Sequence, residues 1–407
     1  MESSLNAARA TAKRGTNTAI VIGAGIVGAG AAYYLARAGV DVVLLEERFP
    51  ASGASGASNG GLSYIGKIPE IIRPSHRSLE MYTKLEREIQ SDLELDQQRG
   101  LIFIAEDDAA MATLEKTHEL CRQHGFHSVL LDCAGVAARE PLIDVSKCVG
   151  GITGYAGLEG WVNPFLVVDG YMRAARSLGA CVMTGVRALQ LVSAGGKVAG
   201  VVTPGTDLRA EIVIDCGGIH AGRVAGCGLS LPIIPRRGIV LVTEQSPFKA
   251  RANIMSATYL AAERARDAQG AAFAVGLAIE QTASGNFLVG SSREFAGERL
   301  VFPSALPEAV AKNAARYVPS LARLDVIRVF AGLRPYVPDG APIIGPLEQY
   351  PGYYVASGLE GCGVTMGPWV ASTVAGMALG RHCPDAAAFV PSRFSSPGSR
   401  AETFMRA

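Results

Sequence analysis

The sequence predicts an α/β fold, in which a parallel nucleotide-binding sheet drawn from separated stretches of chain is joined to a mixed or antiparallel sheet. Three observations predict it. Residues 18–22 are a short apolar, β-branched run leading straight into Gly23-Ala24-Gly25-Ile26-Val27-Gly28. Two later stretches, 212–218 and 353–379, return to an apolar strand followed by glycines. Residues 233–330 lack that order and read as antiparallel, with candidate strands at 239–243 and 287–290.

The first element is a complete βαβ unit. The run at 18–22 suits a buried parallel strand. Residues 29–38 continue the turn as a helix of small residues, and Gly39 stops it. Residues 40–45 form a second buried strand ending in Glu46. A Gly/Ser-rich loop follows at 52–63. Helices are expected at 77–91 and 109–124. Asn163-Pro164 starts another, because Asn caps and Pro suits the first helical position; it is expected to reach Leu178. A strand pair at 189–192 and 198–202 turns at Gly195-Gly196. A buried strand at 212–215 leads into Cys216-Gly217-Gly218. A helix is expected at 307–318, and a last one after Gly358 up to Leu379.

Bulk properties narrow the function. The 407 residues are 49% apolar and 18% charged, which suits a large folded core. Lys plus Arg count 38 against Asp plus Glu 37, so no charge excess points to nucleic acid or an anionic membrane. The eight cysteines include no Cys-x-x-Cys pair, which argues against a zinc or iron–sulfur site, and no metal is expected. Residues 1–17 are polar and small, and read as a disordered tail; 391–407 read as a second tail. The uncharged stretch 19–36 contains four glycines and is better explained by strand and helix than by a membrane span. A cytoplasmic location is expected, with peripheral membrane association through partners as the alternative.

The glycine turn carries specific chemistry. Gly23 permits the tight turn, Gly25 lets backbone approach a pyrophosphate, and Gly28 lets the helix pack on the strand. Ile26 and Val27 open the helix, whose N-terminus supplies N–H groups and partial positive charge for a diphosphate. Glu46, 18 residues after Gly28, stands where a ribose hydroxyl is held and disfavours a 2′-phosphate. This unit suits FAD or NAD. The loop GASGASNGGLS, containing Ser58, Asn59, Gly60 and Gly61, favours FAD, since small residues with many N–H groups can wrap a diphosphate and admit a flavin ring. The same loop matches G-x-S-x-G, but lacks the preceding strand and following helix that a nucleophilic Ser58 needs. Gly217 and Gly218 close a strand. Gly358, Gly361 and Gly363 precede a helix beginning near Val364 and Thr365, whose N-terminus suits the polarised pyrimidine end of a flavin. Val186 is a further candidate cofactor contact. His220 reads as structural.

These motifs, with GLRPYVPDGAPIIGP at 332–346 and SGLEGCGVTMGP at 357–368, resemble the D-amino-acid oxidase, glycine oxidase and sarcosine oxidase superfamily of flavoproteins, from about Thr18 to Leu379. The resemblance implies a glutathione-reductase-type FAD domain at 18–95, 151–232 and 331–390, and a substrate domain at 96–150 and 233–330. It implies oxidation of amines or amino acids by hydride transfer to flavin N5. It gives Arg334 the substrate carboxylate, as a guanidinium can make two parallel charged hydrogen bonds. Tyr259 and Gln281 are further pocket candidates, and no acid or base is assigned.

The segments EQTASGNFLVGSSREF and RRGIVLVTE look like β subunits of dye-linked dehydrogenases, the group that includes opine oxidase, D-hydroxyproline dehydrogenase and the FAD subunit of hydrogen cyanide synthase. Leu359 departs from that pattern, standing where many such subunits carry His. The expectation is an FAD-dependent dehydrogenase or oxidase acting on the C–N bond of a small amino or imino acid, with companion electron-transfer subunits. A stand-alone D-amino-acid dehydrogenase and a non-catalytic flavin-binding assembly subunit are the alternatives.

Overall fold

A computed structural model of the chain describes residues 17–224, 226, 230–264 and 274–394. The tails expected at 1–17 and 391–407 lie outside these residues, apart from Asn17 and a 3-10 turn at Pro391–Phe394.

The first half runs β1 (Thr18–Ile22), α1 (Ile26–Arg37), β2 (Asp41–Glu46), β3 (Gly61–Leu62), α2 (Pro69–Ile89), β4 (Leu101–Ala105) and α3 (Asp108–Gln123). It continues with β5 (Val129–Leu131), α4 (Cys133–Arg139), β6 (Gly150–Thr153), β7 (Gly160–Trp161), α5 (Pro164–Ser177) and β8 (Cys181–Thr184). The middle holds β9 (Gln190–Ala194), β10 (Lys197–Val202), β11 (Asp207–Arg209), β12 (Ile212–Asp215), β13 (Ile234–Gln245), β14 (Asn253–Ser256) and α6 (Ala257–Arg264). The last part is β15 (Ala274–Gln281), β16 (Asn286–Arg293), α7 (Ala305–Tyr317), β17 (Val326–Tyr336), β18 (Ile343–Pro346), β19 (Tyr353–Ser357) and α8 (Gly363–Ala378).

Two large sheets result. A six-stranded sheet has the order β18-β19-β12-β1-β2-β8. All its neighbours are parallel except β18, which is antiparallel to β19. Alternate residues of β1 and β2 feed different cores, as strand geometry requires. Ala19, Val21, Val42 and Leu44 join the core shared with α1, α5 and α8. Ile20, Val43 and Leu45 join the core covered by the small sheet β9–β11. Both faces are therefore dry, which is why β1 and β2 are continuous apolar runs.

The second sheet has eight strands in the order β17-β13-β16-β15-β14-β4-β6-β5. Its core includes Ile239, Leu241, Ile279, Phe287 and Val289, against which α7 places Leu306, Val310 and Ala314. Among the described residues no helix is long and apolar enough to cross a membrane.

The structure corrects several expected limits. The helix expected at 77–91 starts at Pro69 and runs through Pro74, giving up one backbone hydrogen bond there. The strands expected at 239–243 and 287–290 extend to Ile234–Gln245 and Asn286–Arg293, because long antiparallel pairing continues past the most apolar residues. β17 pairs with β13 from Val326 to Tyr336, with one register shift between Val242 and Thr243.

Candidate active site

Four glycine-bearing segments meet at the carboxyl ends of the parallel strands, the place where ligands bind in open α/β sheets. After β1 the chain turns at Gly23, whose N–H donates to the Leu45 carbonyl at 2.7 Å and whose φ is +93°. A Cβ there would stand 2.7 Å from the Cys216 carbonyl oxygen, and one at Gly28 would overlap the Gly23 carbonyl oxygen. The turn thus admits no side chain at either position. Gly25 caps α1 in extended conformation without a side-chain hydrogen bond, and Ile26 and Val27 are buried in the first turn. Glu46 lies at the end of β2, with Oε2 accepting from the Ala24 N–H at 2.8 Å and Oε1 from the Arg48 N–H at 2.8 Å. Val186 N–H donates to the Glu46 carbonyl at 2.9 Å, which sets Val186 beside the same strand end.

The loop after β2 reaches over the turn, and Ser55 Oγ accepts from the Ile26 N–H at 3.0 Å. Ser58 Oγ accepts from the Gly60 N–H at 3.2 Å. No helix follows it, since the chain enters the two-residue strand Gly61–Leu62, so the nucleophile reading of Ser58 has no elbow to stand on. Asn59 gives its carbonyl to Trp161 Nε1 at 2.6 Å. Gly217 and Gly218 follow β12, whose Asp215 carboxylate accepts from the N–H groups of Gly217 (2.9 Å) and Gly222 (2.7 Å) and from the Tyr353 hydroxyl (2.8 Å). Burial pushes the Asp215 carboxyl up, against these hydrogen bonds. Ser357 Oγ donates to the Gly218 carbonyl at 2.8 Å and so ties β19 to this turn. Gly358, Gly361 and Gly363 lead into α8, where the Val364 carbonyl accepts from the Tyr82 hydroxyl at 2.8 Å and Thr365 Oγ1 stands 3.4 Å from the Gly61 carbonyl.

A cluster of charge sits beside the last of these segments. Arg334 on β17 faces Arg236 on β13, and its Nη1 donates to the Ser292 carbonyl at 3.1 Å. Glu360, in the glycine loop before α8, lies 3.6 Å from Arg236 and 3.5 Å from Arg293. Burial pushes the Glu360 carboxyl up, but Arg293, Arg334 and Arg236 outweigh it and hold it below the usual carboxylate range. Glu360 has φ +44°, a left-handed conformation that costs a side-chain-bearing residue about 1 kcal/mol or more. The Arg293 guanidinium stands 4.2 Å from the centre of the Tyr259 ring, and that of Arg236 stands 5.1 Å from Tyr336. A cavity of about 190 Å³ adjoins the cluster, lined by Tyr336, Leu359 and Glu360 with Ile68, Ile71 and Met366.

Of the expected pocket residues, Arg334 and Tyr259 therefore come together, Tyr259 from the helix α6 rather than from a strand. Gln281 does not join them. Its amide accepts from the Ala250 N–H at 3.0 Å and donates to the Phe248 and Gly285 carbonyls at 2.9 and 3.1 Å, bracing a surface turn. His220 lies in a 3-10 turn with Nδ1 3.2 Å from Arg223 Nη1, a structural setting. Sequence reasoning missed Arg236, Arg293 and Glu360. Each stands in a quoted motif, RRGIV, SSREF or SGLEG, but nothing in those motifs shows that they meet. Among the described residues no His, Cys, Asp and Glu group could hold a metal.

A family model described as "FAD dependent oxidoreductase" matches residues 18–377. The chain belongs to this family. It is 28% identical over 385 residues to the hydrogen cyanide synthase subunit HcnC of Pseudomonas protegens, covering 83% of this chain and 87% of that protein. It is 26% identical over 382 residues to glycine oxidase of Pseudomonas aeruginosa, covering 89% and 95%. The crystal structure of glycine oxidase from Geobacillus kaustophilus superposes with a TM-score of 0.82 at 21% identity, covering 93% of this chain and 99% of that one, which establishes a shared fold.

FAD is accordingly the cofactor of this oxidoreductase, and the residues present fit it. The cradle at Gly23, Gly25 and Gly28 is one that side chains would fill, and it opens on a helix N-terminus without a side-chain cap.

Proposed function

We propose that this FAD-dependent oxidoreductase oxidises the C–N bond of a small amino or imino acid, with the substrate carboxylate held by the arginine cluster. The observation that carries the reading is the convergence of Arg236, Arg293 and Arg334 on one buried carboxylate beside the glycine loop 358–363. Guanidinium groups suit carboxylates because planar donors match two oxygens at once. Glu360 disperses the repulsion among them and is itself an acceptor that a substrate amine can meet. The apolar side chains of Ile68, Ile71 and Met366 limit water at this place.

In this reading Gly23, Gly25, Ile26, Val27, Gly28, Glu46, Ser58, Asn59, Gly60, Gly61, Val186, Gly217, Gly218, Gly358, Gly361, Gly363, Val364 and Thr365 hold FAD. Bound FAD supplies a two-electron acceptor for the substrate hydride. The chain's own work is to fix the carboxylate, orient the Cα–H and exclude water, which fits a site with no assigned general base. The division into an FAD domain and a substrate domain belongs to the same proposal. So does a role as the catalytic β-type subunit of a multi-subunit dehydrogenase, supported by the similarity to a protein named as a synthase subunit.

Anaerobic mixing of the yellow protein with D-amino acids, sarcosine, hydroxyproline isomers and opines tests this. At least one is expected to bleach the flavin, and the matching amine without a carboxylate is expected not to. If no member of the panel bleaches it, the substrate class is wrong.

A further inference from the structure

The loop at residues 57–61 crosses the eight-stranded sheet from β17 to β15. Ala57 presses its methyl group on Gly332 of β17. Asn59 lies on Gly290 of β16, its Nδ2 3.1 Å from where a Cβ would stand. Gly61 then reaches β15, and there the sheet presents no glycine but Glu280, whose Oε1 is 2.8 Å from where a Gly61 Cβ would stand. A residue larger than glycine at 61 would displace this carboxyl.

Glu280 is 1% exposed. Its Oε2 accepts from Asn59 Nδ2 at 2.7 Å, while Oε1 has no hydrogen-bond partner among the described residues. Burial pushes the carboxyl up to about 8, against the Asn59 hydrogen bond. A buried carboxyl without a cation stays neutral, and a neutral carboxyl is an O–H donor. The elements around it add no paired charge. The loop contributes Asn59 and β14 contributes Met255. Among the described residues no cation pairs with Glu280: Arg99 donates to the Gln281 carbonyl at 2.6 Å, and Arg293 lies with Glu360 and Tyr259. Gly61 itself touches Thr365 of α8 on its other side. The free oxygen therefore lies in the cofactor segments rather than in the arginine cluster.

We propose that Glu280 is a positioning residue for the bound flavin: a carboxylic acid pinned by Asn59 and packed under Gly61, which sets the Gly60–Gly61 backbone against which the ring lies. This extends the FAD assignment and is independent of the proposed substrate, since its test contains none.

The FAD-loaded protein is titrated between about pH 6 and 9.5 while the visible flavin bands are recorded. The wild type is expected to shift its bands in one step at or above pH 8, since the ring covers a carboxyl that burial already pushes up to about 8. Glu280→Gln, which keeps the shape and an N–H donor, is expected to hold FAD and show no step. Glu280→Ala is expected to bind FAD about tenfold more weakly, the effect of one lost hydrogen bond. A flat wild-type titration, or the same step in Glu280→Gln, overturns the proposal. Infrared difference spectra between FAD-free and FAD-loaded wild type need no variant. The protonated-carboxyl band is expected to move on FAD binding, and a band that stays in place overturns the proposal as well.

Discussion

Arg236 and Arg334 stand directly opposite each other on antiparallel strands β13 and β17, two like charges in register. Such a pair destabilises a sheet unless a counter-charge is near. Glu360 supplies it from the loop before α8, and Arg293 enters the same cluster from β16. Under the proposed function, substrate recognition and local stability depend on the same few charges.

Arg334→Ala is expected to raise KM for the carboxylate substrate about 10²–10³-fold, as the loss of one partner of a buried charged pair does. Arg334→Lys is expected to recover part of this, since a point charge replaces a planar fork. FAD content should be unchanged in both, because Arg334 lies outside the glycine segments. Steady-state kinetics with flavin absorbance checks the split; loss of FAD in Arg334→Lys would contradict it.

Glu360→Gln leaves three cations without their shared carboxylate. Because the folded Glu360 carboxyl is held below its ordinary range, its stabilisation is present above about pH 4.3 and fades as pH falls through the lower folded value. The variant is therefore expected to melt several degrees below wild type at pH 7, with the gap closing on acidification. Thermal unfolding at pH 7 and at pH 4 reads this, and a gap that does not change with pH counts against the charge argument.

Glu280 behaves in the opposite sense. Its folded carboxyl titrates near 8, above the unfolded value, so the folded state holds the extra proton between the two. Stability from this group falls as pH rises from about 4.3 toward 8. Glu280→Gln removes that dependence and should gain on wild type between pH 5.5 and 8 in paired melting curves.

Gly28→Ala tests the turn. The added methyl overlaps the Gly23 carbonyl oxygen, so helix and turn must part. Overpacking of this kind costs about 1–3 kcal/mol. The protein is expected to purify pale, with FAD bound more than tenfold more weakly and a lower Tm. Wild-type FAD binding in this variant would show that the turn is more yielding than its geometry implies.

The βαβ unit was legible because its meaning is local: strand, turn, helix and second strand follow one another in the chain. Asn163 was legible for the same reason, and its side chain does accept from the Phe165 N–H. The charge cluster was not, because Arg236, Arg293, Arg334 and Glu360 meet through pairing between distant strands. Glu280 and Gln281 show a finer limit. Adjacent residues on a strand point to opposite faces, and the last six residues of β15 are all buried, so no polar alternation marks the face that meets the cofactor loop. Tyr259 reaches the cluster from α6, a short helix inserted between two strands.

The strand order has a consequence for synthesis. β12 pairs with β1 on one side and with β19 on the other, and α1, ten of whose twelve residues are buried, is covered in part by α8. A ribosome must therefore deliver β19 and α8 before β1 and α1 are fully enclosed. Until then an apolar helix and an open sheet edge are available to chaperones or to other nascent chains. If the glycine segments hold FAD as proposed, its capture waits until the loop at 358–363 joins the turn at 23–28.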